Sequence, residues 1–195
     1  GADIVWHSTT KYINGHSDMI GGLAVVNDDA LADRLQFILN AAGAVPGPFD
    51  AWLALRGSKT MPLRVRQHDA NGRQIAAWLA ERLGAERVHY PGLPSHPQHT
   101  LAARQMKGFG GMMTIDLHTQ TNADTFLQRV RVFSLAESLG GVESLTNHPY
   151  TMTHGSVPAD VKQAMGLTPG MVRLSCGIED VEDLLADLEG ALRGL

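Results

Sequence analysis

Ile4-Val5-Trp6-His7-Ser8-Thr9-Thr10-Lys11 is the stretch on which the reading of this chain turns. Ile4 to Trp6 reads as a short buried strand. It runs into a cluster of hydroxyl side chains, and Lys11 stands at the end of that cluster. Where a strand ends in such a turn, hydroxyls and backbone N–H groups become available as donors to phosphate oxygens. A lysine beside a phosphate cradle is placed to form an imine with an aldehyde. A surface lysine in a polar loop is the competing reading, and composition alone favours it.

Outward from Lys11 the pattern is that of an α/β protein. Gly15, Gly21 and Gly22 mark a loop, and Leu23 to Val26 a second strand. Asn27 or Asp28 is placed to cap a helix with Leu31, Leu35, Ile38 and Leu39 on one face. A turn-rich segment, Gly43 to Pro48, leads to a long helical stretch from near Phe49. Pro62 is expected to break or kink it, and a domain boundary is expected there. The helix resumes with Ile75, Trp78, Leu79 and Leu83 on one face. Strands are expected at Val88 to Tyr90, Met112 to Leu117, Phe133 to Leu135 and Met171 to Ser175, with a helix from Asn122 to Val130. The last helix carries Leu184, Leu185, Leu188 and Leu192 on one face, and acidic groups at its start. Strand residues so close to Gly1 suggest that further residues precede it.

Bulk properties exclude several functions. The chain has 195 residues, of which 44% are hydrophobic and 18% charged, with a net charge of -4. That is enough for one sizeable core, or one and part of another. No Lys/Arg run marks a nucleic-acid binder. No apolar run reaches the ~20 residues of a membrane helix. A single cysteine, Cys176, rules out an internal disulfide framework and suits a reducing compartment, so a cytoplasmic location is expected. Cys176 reads as a small buried residue in a strand. His96 and His99 lack the third ligand that a zinc site needs, and no metal is expected. Gly108-Phe109-Gly110-Gly111 reads as a turn before a strand.

Pyridoxal phosphate requires both an imine-forming lysine and a phosphate cradle. The segment from Gly1 to Asp18 closely resembles the cofactor-lysine block of the cysteine/methionine-metabolism family of pyridoxal-phosphate enzymes. The resemblance continues through Gly43 to Trp52, Arg56 to Thr60, Tyr90 to His99, Ala136 to Leu145, Met152 to His154 and Val172 to Asp180. It covers essentially the whole chain. It implies an α/β fold of the fold-type I pyridoxal-phosphate transferase-like class. Residues 1–62 would be the C-terminal part of the large cofactor domain, and residues 63–195 the complete small C-terminal domain.

The same resemblance implies roles for individual residues. Lys11 is then the catalytic imine lysine, and Ser8 and Thr10 contact the cofactor phosphate. Arg173 clamps the α-carboxylate of an amino-acid substrate, and Ser138 shares its neighbourhood. From the residues alone, Arg173 would face solvent or a structural ion pair. Glu137 borders the substrate pocket and distinguishes cystathionine-handling members from methionine-cleaving ones. The implied activity is γ-elimination on cystathionine in transsulfuration. Cystathionine γ-synthase or homoserine sulfhydrylase activity, and a non-catalytic fragment that needs another chain, are the alternatives. The implied assembly is a homotetramer of dimer pairs with shared active sites. An upstream half in the family supplies a phosphate-binding glycine turn, a ring stacked on the cofactor and an aspartate on the pyridine nitrogen.

Overall fold

The first strand, β1 (Ile4–Ser8), pairs antiparallel with β2 (Gly22–Val26), Ile4 opposite Val26 and Ser8 opposite Gly22. The computed structural model describes residues 1–195, in two compact units, Gly1–Met61 and Pro62–Leu195. The first unit continues with α1 (Asp29–Ala42) and α2 (Pro48–Ser58). Asp28 caps α1, accepting from Leu31 N at 2.8 Å. Gly43 ends it in the left-handed region, with its N–H on Leu39 O at 3.0 Å.

The strand at Ile4 forms as expected, but it is not buried. Trp6 is 78% exposed, and Ile4, Val5, Leu23 and Val25 are exposed too. The reason is geometric. A lone two-stranded ribbon has no second layer to pack on and is marginal in water. No residue of α1 is buried either, and Phe37 on it is 72% exposed.

The second unit has its own core. It runs α3 (Met61–Leu83), β3 (Val88–His89), α4 (His99–Gln105), β4 (Met112–Asp116), α5 (Gln120–Arg129), β5 (Ser134–Leu135), β6 (Leu145–Asn147), α6 (Ala159–Ala164), β7 (Met171–Ser175) and α7 (Val181–Leu192). The strands make one five-stranded sheet in the order β3-β4-β7-β6-β5. All pairs are antiparallel except β5 with β6. Met113 and Ile115 pair with Leu174 and Val172, so these four share one face. Ile75 and Leu79 of α3, Phe126 of α5, and Leu184 and Leu188 of α7 complete the core with them.

Pro62 departs from expectation. It does not break a helix but is the second residue of α3, and the break lies at Lys59 and Thr60. In a first turn the N–H that proline lacks has no intrahelical partner to lose. Glycine 110, in the turn before β4, has φ +74, and Asp69 of α3 accepts from Phe109 N and Gly110 N. Asp187 of α7 pins the approach to β5, accepting from the backbone N–H groups of Arg131, Val132 and Phe133 at 2.7, 2.9 and 2.9 Å.

Candidate active-site residues

The six predicted site residues fall into two groups, one in each unit. Ser8, Thr10 and Lys11 belong to the first. At the end of β1 the chain enters a wide turn, Thr9–Ile13, closed by Asn14 N on Thr9 O at 3.1 Å and Gly15 N on Lys11 O at 2.8 Å. Lys11 leaves helical geometry within it, at φ −92 and ψ −132, and is half-buried. Thr10 is tied across the loop: its Oγ1 accepts from Gly21 N at 3.0 Å and donates to Gly21 O at 3.3 Å. Asn14 is buried, donates to Asp18 at 2.6 Å and holds His16 through its carbonyl. Helix α2 braces this loop. A Cβ on Gly57 would fall on the Asn14 carbonyl oxygen, so only glycine permits that approach.

The residues present suit a phosphate-bearing aldehyde. Two hydroxyl side chains, Ser8 and Thr10, precede a half-buried lysine where a strand ends. The long Thr10–Gly21 bond is a weak use of the hydroxyl proton, readily exchanged for a phosphate oxygen. Sequence reading missed the structural half of Thr10's role, because its partner Gly21 lies in a loop of no regular pattern.

Glu137, Ser138 and Arg173 form the second group. Arg173 lies on β7 between Val172 and Leu174, which are fully buried in the core. Alternation therefore turns Arg173 to the opposite face of the sheet. Its Nη2 donates to the Ser138 carbonyl at 3.1 Å. Ser138 has φ +95, a region that costs a side-chain-bearing residue about 1–3 kcal/mol. The same turn is anchored by Gly140 N donating to Ser175 Oγ at 3.0 Å. Burial lowers the Arg173 pKa, and Glu137 partly offsets this by attraction. Glu137 itself is exposed. Ser138 thus meets Arg173 through its backbone carbonyl.

Asn147 was not singled out from sequence, yet with its amide oriented as the surrounding donors require, its oxygen accepts from Arg173 Nε at 3.2 Å and Nη2 at 2.7 Å. It lies between the two recognisable blocks that end at Leu145 and begin at Met152, so neither block points to it. Cys176 is fully buried, and burial, with Glu179 adding to it, pushes its thiol pKa well up. It is not an activated nucleophile.

Among known protein families, residues 1–193 match the Cys/Met metabolism PLP-dependent enzymes. The chain belongs to this family. A cystathionine β-lyase of Coxiella burnetii is 53% identical over 194 residues, covering 98% of this chain and 50% of that protein. A cystathionine γ-lyase of Dictyostelium discoideum is 52% identical over 193 residues, again 98% and 50%. The fold agrees with a crystal structure of cystathionine γ-synthase from Xanthomonas oryzae pv. oryzae in complex with aminoacrylate and cysteine. The TM-score is 0.94 at 50% identity, with 98% of this chain and 50% of that one covered. The chain thus spans about half the length of the relatives it matches. Pyridoxal phosphate is the cofactor of the family. No helix is long and apolar enough to cross a membrane.

Proposed function

We propose that this chain is the C-terminal half of an enzyme of transsulfuration that cleaves cystathionine by γ-elimination. Residues 1–62 would complete a large cofactor domain, and residues 63–195 would form the small domain. The observation that carries the reading is the Ser8–Thr10–Lys11 turn, a half-buried lysine preceded by two hydroxyl residues, within the family match. Pyridoxal phosphate, when bound, supplies an electron sink for a carbanion at the substrate. Lys11 would hold the cofactor, and its free amine would move protons between substrate carbons. Ser8 and Thr10 donate to the cofactor phosphate. Arg173 holds the substrate α-carboxylate, and Glu137 attracts the ammonium at the distal end of cystathionine. The assembly would be a homo-oligomer with shared active sites. A γ-replacement reaction is the second reading, consistent with the fold agreement with the γ-synthase structure.

The test is chemical. Borohydride reduction of the cofactor-loaded protein, followed by peptide mapping, is expected to place the phosphopyridoxyl mass on Lys11. A label on Lys59 or Lys107 would overturn the assignment.

A further inference from the structure

Asn147 stands directly opposite Arg173 across the β6–β7 ladder. Residues opposite one another in an antiparallel pair project to the same face, with Cβ atoms about 4.5–5.5 Å apart. Register alone therefore brings the amide to the guanidinium. Asn147 is 1% exposed, so water cannot substitute for it. Its oxygen, not its nitrogen, faces Arg173, because the nitrogen would meet two N–H donors. With the Ser138 carbonyl on Nη2, the Nε–H and both Nη2 hydrogens are engaged. The hydrogens on Nη1 remain for another acceptor.

Both groups in this cradle are neutral. A half-buried arginine is more often held by a carboxylate, which fixes its orientation equally well. A carboxylate would also cancel the positive charge that a bound acid must feel. An amide fixes the plane and leaves the charge.

We propose that Asn147 is a positioning residue, which sets the rotation of the Arg173 guanidinium so that Nη1 meets a substrate carboxylate with no carboxylate hydrogen-bonded to the guanidinium in its cradle. This rests on Arg173 being the carboxylate clamp. Asn147 touches neither substrate nor cofactor and acts through Arg173.

The direct readout is the Arg173 Nε–H resonance of the 15N-labelled 195-residue chain. Asn147→Ala is expected to speed its exchange with water about tenfold, the loss of a hydrogen bond of ordinary strength. Asn147→Asp, isosteric and still an acceptor, is expected to keep exchange within about twofold of native. In cofactor-loaded enzyme assembled with this chain, both variants are expected to raise KM for L-cystathionine about tenfold and to leave kcat within about threefold. Unchanged exchange in Asn147→Ala overturns the positioning role. A native KM in Asn147→Asp overturns the charge argument, and that variant decides the matter even if Asn147→Ala does not fold. Arg173→Ala separates the two ideas. If it leaves KM at the native value, the clamp reading fails. If it raises KM while Asn147→Ala changes neither exchange nor KM, the clamp stands and the role of Asn147 does not.

Discussion

At the scale of the residue, Arg173 tests how far chemistry follows from a side chain's shape. Its planar fork has one edge on Asn147 and a further bond to the Ser138 carbonyl. Lysine in its place keeps the charge but has no plane to hold. Arg173→Lys is expected to cost about 2–4 kcal/mol in kcat/KM for L-cystathionine, by analogy with disrupted buried charge pairs, while the cofactor absorbance stays. A fall in kcat/KM that only tracks loss of cofactor absorbance would assign Arg173 to the cofactor or the fold instead. Glu137 offers a second test, of substrate choice. It is exposed and attracts Arg173 through space. Cystathionine ends in a second amino-acid head, whose ammonium a carboxylate attracts, whereas methionine ends in a methyl that prefers an apolar wall. Glu137→Val is expected to lower the ratio of kcat/KM for cystathionine over that for methionine, and an unaltered ratio would sever Glu137 from the distal head. Alternation made the outward direction of Arg173 legible, since Val172 and Leu174 are plainly core residues. Its partner was not legible, because pairing register is a property of two strands and no local pattern announces it.

The elements show why some of the fold is written in periodicity and some is not. Helices α3, α5 and α7 were readable because each lays one apolar stripe on the sheet. Strand β6 was not. Leu145, Thr146 and Asn147 are all buried, and two of the three are polar, so neither alternation nor an apolar run marks them. Their polar groups are met inside the sheet, Thr146 Oγ1 donating to Arg173 O at 3.1 Å. Helix α3 carries a comparable buried polar row. His68 is fully buried and bonds through Nδ1 to the Cys176 carbonyl at 2.7 Å, and Asn71 donates to Gly177 O and Glu179 O at 3.0 Å. Burial lowers the His68 pKa below its ordinary 6.5, with Arg64 adding to the effect. The unfolded chain therefore binds a proton near pH 6.5 that the folded one refuses. Stability is full above that pH and is lost as pH falls from 6.5 toward the lowered folded value, by at most about 1.4 kcal/mol per pH unit for one proton. The urea midpoint of the second unit, followed by β4 and β7 amide signals, is expected to fall between pH 7 and 5. His68→Gln is expected to flatten that slope; a slope equal to native would place its origin in another group.

The whole molecule divides its stability unevenly. The second unit holds a continuous core from β3 to α7, with Ile75, Leu79, Ile115, Phe126, Leu174, Leu184 and Leu188 out of contact with water. In the first unit Met19 and Leu53 are the buried large apolar side chains, while Trp6, Phe37, Phe49, Trp52 and Leu55 are exposed. Large apolar side chains left exposed in this number are what a covering polypeptide would bury. The Lys11 turn is carried by that uncovered unit, between β1 and β2. A lysine that must hold a cofactor needs its supporting elements fixed within about 0.5 Å. A two-stranded ribbon without a second layer does not provide such rigidity. The expectation follows that the 195-residue chain, purified alone, turns over L-cystathionine at a small fraction of the rate of a relative of full length. Adding a polypeptide that corresponds to the upstream half of such a relative is expected to restore turnover. It should also slow hydrogen exchange in β1 and β2, while β4 and β7, already in a closed core, keep their protection. Two measurements decide it, steady-state turnover and amide exchange by mass spectrometry on the same preparations. Full turnover by the lone chain, or restored turnover with β1 and β2 still exchanging freely, would show that the exposed apolar face of the first unit is not what limits the Lys11 turn.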